Sequence, residues 1–248
     1  PPRSTLSSSS AASDVYKRQT HEGARGETAE QMAQTLHAPG DREMHRTAIR
    51  VLLTIINTPD AAYELNTANA LWAQRDHAFL REYTGTIEEY YMGKVANLDF
   101  ETDAEGARRT INDWVCEQTR QKIKDLIPSG ALSAMTRLVL TNAIYFKAAW
   151  LERFEETQTT DQPFFTSSGD TVSVPMMAMT EARVRYADPP EAQILELAYA
   201  GDSLAMVIVL PRTRDVKALE SLLDTTHLRV WTGGLMFQKV DVYIPRFK

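Results

Sequence analysis

The 248-residue chain is 43% hydrophobic and 24% charged with a net charge of −6, a composition that can support a packed core of ordinary globular type. Acidic and basic residues are interspersed without long runs of one sign, so a nucleic-acid surface is not expected. The longest apolar run, Ala205 to Leu210, is strand-sized and far short of a membrane span, and a lone cysteine, Cys116, excludes an internal disulfide framework.

In chain order, the first stretch is low in complexity. Ser9 to Gln19, SSAASDVYKRQ, is the in-frame translation of a transposase-type sequencing adapter. Residues 1–19 are therefore set aside as adapter-like and expected to be disordered. This implies a shotgun-sequenced microbial source. A natural Ser-rich leader is the alternative. GARGETAEQMAQTLH (23–37) reads as a turn and a short helix, with Thr28 and Gln31 in capping-box spacing. MHRTAIRVLLTIINT (44–58) mixes helical spacing with β-branched residues and stays ambiguous. YELNTANALWAQ (63–74) alternates, with Leu65, Thr67, Asn69 and Leu71 on one side and Asn66, Ala68, Ala70 and Trp72 on the other, which predicts a strand.

Residues 77–91 read as a helix with its connection and 93–100 as a strand. ARRTINDWVCEQTRQKIKDLIP (107–128) predicts a helix with Ile111, Trp114, Val115, Ile123 and Leu126 in one stripe, ended by Pro128 and Gly130. TRLVLTNAIYFKAAW (136–150) carries apolar residues on both sides of a two-residue period and predicts a strand buried on both faces. Strands follow at 171–177, 192–199 and 203–211, the last two joined by the turn AGD. A helix is expected over 216–231 and a strand at the end. Helices first and antiparallel-type strands later argue for an α+β fold.

Sites for chemistry are few. His21, His37, His45, His77 and His227 lack metal-ligand spacing and read as solvated or capping residues. There is no GxSxG elbow, and Cys116 reads as a packed thiol. Met176, Met177 and Met179 read as core filler. Asn142 is the exception. It lies on an apolar face between Leu140 and Ile144, where an unpartnered buried amide costs about 1–3 kcal/mol. It reads as a satisfied core amide or as a point where strands part and re-pair.

The chain resembles the serpins from residue 20 to 248. The resemblance rests on GARGETAEQMAQTLH, ANALWAQ, INDWVCEQTRQKIKDLI, VSVPMMAMTEARVRY, ILELAYAGDSLAMVIVLP and VDVYIPRFK in order. Its most specific part is LTNAIYFKAAWLERF (140–154), where Ala148–Ala149 replaces a common Gly-Lys pair. The resemblance implies a serpin fold, with a large central sheet, smaller sheets and a helical layer. It further implies inhibition of a protease, a serine protease in the usual case and a cysteine protease as the variant, by insertion of a cleaved reactive loop into the main sheet. No cofactor, metal, nucleic acid or membrane is implied.

By the same resemblance Asn142 matches the point where the sheet opens, Trp150 the end where insertion begins, and the setting is extracellular. Residues 20–248 are then a partial domain without the N-terminal segment and the reactive loop, expected to be inactive alone. A carrier, chaperone or storage role is the alternative to inhibition.

Overall fold

The computed structural model describes residues 10–38, 40–60, 62–166, 169–213 and 215–247, which cluster into two compact units. The first holds the described residues up to Asp60 together with Glu64–Lys147, and the second runs from Ala148 onward with a short piece ending at Tyr63.

The first unit starts with α1 (Ser10–Gly23), α2 (Gly26–Thr35) and α3 (Arg42–Ile56). The disorder expected for 1–19 does not hold over 10–19, which belong to α1; residues 1–9 lie outside the described residues. The Thr28–Gln31 capping box is not formed. Arg25 takes the N-cap of α2 without a side-chain bond, and Gln31 Nε2 instead donates to Glu27 Oε1 (3.0 Å). The ambiguity over 44–58 resolves to helix because Asp41 caps α3, its carboxylate accepting from the backbone N–H groups of Glu43 and Met44.

Strand β1 (Tyr63–Gln74) is the middle of a three-stranded sheet. It runs parallel to β2 (Lys94–Leu98), with Ala70 opposite Lys94 and Gln74 opposite Leu98, and the crossover is α4 (Arg81–Tyr91). On its other side is β3 (Leu138–Ala148). Gln74 N–H donates to the Arg137 carbonyl while Asn69 meets Asn142, so β1 and β3 run in opposite directions. The alternation read from the sequence sorts the two faces of β1. Leu71 and Ala73 pack with Tyr83, Ile87 and Tyr91 of α4, whereas Ala70 and Trp72 pack with Phe100, Ala107 and Ile111 of α5 (Phe100–Gln118).

Helix α5 ends at Gln118, ten residues before the expected stop. Arg120 and Gln121 adopt positive φ of 50° and 61°, and the chain folds back. Asn112 fixes the return: its Nδ2 donates to the Ile127 carbonyl and its Oδ1 accepts the Ile127 N–H, both at 2.9 Å. Ile123 and Leu126 thereby pack against Ala68, Val115 and Ala143. Burial outweighs the helix propensity of the segment, which is worth only tenths of a kcal/mol per residue. Strand β3 is also less covered than its apolar pattern implies. Its first half is shielded, but Ile144 and Phe146 are 38% and 39% exposed.

The second unit is a five-stranded sheet. Its order is β4 (Thr160–Phe165), β5 (Thr171–Ala187), β6 (Ala192–Ala198), β7 (Ala205–Pro211), and β8 (Met236–Pro245) pairs antiparallel along β5. A bulge between Met179 and Ala182 places Glu181 at φ 52°, with its N–H donated to Asp241 Oδ1 (2.8 Å). The AGD turn joins β6 to β7 as expected, using positive φ at Gly201 and Asp202. The single helix expected over 216–231 is two, α6 (Val216–Glu220) and α7 (Thr225–Gly233). Asp224 breaks the run by capping α7 through the His227 N–H (2.7 Å).

Candidate sheet-opening site

Asn142 sits at the middle of β3 with its side chain on the α4 face of the sheet, in step with Leu138 and Leu140. Its Nδ2 donates to Asn69 Oδ1 at 2.6 Å, and Asn69 Nδ2 reaches the carbonyl of Tyr91 at the end of α4 (3.4 Å). The two amides thus tie β3 to β1 and β1 to the helix beneath. The Asn142 Oδ1 is buried without a donor. Strand β3 is the end strand of its sheet, with β1 on one side and no partner on the other among the described residues.

The opposite face of the β1–β3 pair is also pinned by polar bonds. The fully buried Trp72 donates its indole N–H to Thr141 Oγ1 (3.0 Å) and meets the Trp114 ring edge-on, centroids 5.4 Å apart. Lys94 Nζ lies 5.2 Å from the centroid of the Trp72 ring. These contacts were not legible in the sequence, although Trp72 and Thr141 each fall on a side opposite Asn69 and Asn142.

Trp150 belongs to the second unit. It forms an antiparallel bridge with Tyr199, and the two rings stack 4.5 Å apart at 11°. The Phe154 ring lies edge-on to it, 6.5 Å away. The backbone is fixed on both flanks: Leu151 N–H donates to Ala198 O and Ala200 N–H to Ala149 O. Burial raises the Tyr199 phenol above its ordinary pKa. Asn142 and Trp150 therefore lie in separate packed clusters.

Two of the histidines depart from the solvated reading. His21 and His45 are buried, and His45 Nε2 lies 3.1 Å from an Arg18 guanidinium nitrogen; burial first and Arg18 second lower the His45 pKa. Sequence reasoning also missed Glu22, which is buried and takes two bonds from Arg46 (3.1 and 2.9 Å) and one from the Tyr91 hydroxyl (3.1 Å). Burial and Glu22 push the Tyr83 phenol up to about 12. Among the described residues no group of three or more His, Cys, Asp and Glu side chains is placed to hold a metal ion, and no helix is long and apolar enough to cross a membrane.

A family model described as serpin (serine protease inhibitor) matches residues 18–248. The chain belongs to the serpin family. An uncharacterized serpin-like protein of Thermococcus kodakarensis is 39% identical over 229 residues, covering 92% of this chain and 53% of that protein. The leukocyte elastase inhibitor of Bos taurus is 40% identical over 234 residues, covering 91% of this chain and 62% of that one. This serpin chain thus spans about half to three fifths of the length of these curated relatives. Among solved structures, emu ovalbumin superposes with a TM-score of 0.86 at 29% identity, covering 96% of this chain and 66% of that one. A cleaved Serpin 42Da gives the same score at 32% identity, covering 99% and 66%. The α+β architecture is that of the serpin fold.

Proposed function

We propose that the full-length form of this serpin is a suicide-substrate inhibitor of a serine-type endopeptidase. The protease serine attacks a bond in an exposed loop, the amine half leaves, and the loop remains as an acyl ester on the protease. The cut loop then pairs with β3 as an added strand, and the trapped ester is not hydrolysed. This is binding and trapping rather than turnover. One observation carries the reading: the outer edge of β3 has no partner among the described residues, and in that strand Asn142 Oδ1 is buried without a donor. An added strand would satisfy the backbone ladder and can bring that donor. In this reading Asn142 is the opening point and Trp150 marks where insertion begins.

The test is covalent trapping. A chain extended to the full length of its relatives is incubated with elastase-like and trypsin-like proteases and run on a denaturing gel. A stable higher-mass band is expected from the extended chain and none from residues 1–248 alone. If the extended chain is cleaved without a band and without a rise in its thermal transition, the carrier, chaperone or storage reading replaces inhibition.

A further inference from the structure

We draw no further inference here: the strongest candidate, the stripe of Met44, Val51, Leu52 and Ile55 that α3 leaves exposed, carries nothing because no observation in the structure shows what covers it.

Discussion

Asn142 and Gln19 are both polar amides in apolar surroundings, and they call for opposite treatment. Asn142 spends its N–H on Asn69, so Asn142→Ala leaves the Asn69 Oδ1 without that donor. The expected loss is about 1–3 kcal/mol of stability, read as a lower urea midpoint. In the extended protein the same substitution should alter loop insertion or polymerisation. An unchanged thermal transition together with unchanged inhibition would remove Asn142 from the opening mechanism. Gln19 is fully buried, and neither its Nε2 nor its Oε1 has a partner. A core position that orphans both ends of an amide suits an apolar side chain. Replacing Gln19 with Leu should therefore stabilise the chain by about 1–3 kcal/mol. A lower melting temperature for that variant would show that the amide is wanted there.

At the scale of elements, the local pattern sorted β1 correctly because both of its faces are buried by the same unit, so alternation and burial coincide. It misjudged α5 because the signal that ends the helix is not local. Asn112 bonds Ile127 across fifteen residues, and neither Pro128 nor Gly130 marks the reversal at Arg120 and Gln121. The family signature around Asn142 was legible; the Asn69, Tyr91 and Trp72–Thr141 contacts were not, since they join residues up to 73 positions apart. The start of α5 offers a pH test. Asp99 is its N-cap, and hydrogen bonds from the Thr102 hydroxyl and N–H, followed by Arg75, hold its carboxyl well below the usual carboxylate range. A depressed folded-state pKa adds stability above the unfolded value and loses it as pH falls through the folded one. Asp99→Asn retains a capping side chain but not the charge. It should be less stable than the parent at neutral pH, with the gap narrowing below about pH 4. A gap of constant size in urea melts across that range would contradict the assignment. A second test lies one turn on. Asp103 leaves helical geometry (φ −140°, ψ 60°) and its carboxylate accepts the Gly106 N–H at 2.8 Å, so close that a Cβ at 106 would lie 2.0 Å from Asp103 Oδ2. Gly106→Ala must displace that carboxylate and lose the cap, about 1 kcal/mol, against a helix-propensity gain of similar size, so its net effect on stability should be small. In an Asp103→Ala background, where no cap is left to lose, Ala at 106 should be more stable than Gly by about 1 kcal/mol, and a double-mutant cycle should show that coupling.

For the whole molecule the governing feature is unmade strand pairing. The open edges among the described residues include that of β3 in the first unit and that of β7 in the second. Both carry exposed apolar side chains, Ile144 and Phe146 on β3 and Val207 and Leu210 on β7. An open edge with apolar side chains is a template for another strand. The same property that would let an added strand pair beside β3 should make residues 1–248 associate with one another. Light scattering on the 248-residue chain should thus show a mass that rises with concentration. Lysine substitutions at Ile144 and Phe146, which place charge on the β3 edge, should lower it. If the chain stays monomeric over a hundredfold concentration range, the β3 edge is not an available template, and loop insertion beside that strand loses its physical basis. If association persists unchanged in the lysine variants but falls when Val207 and Leu210 are replaced, β7 is the sticky edge and β3 plays no part in the self-association.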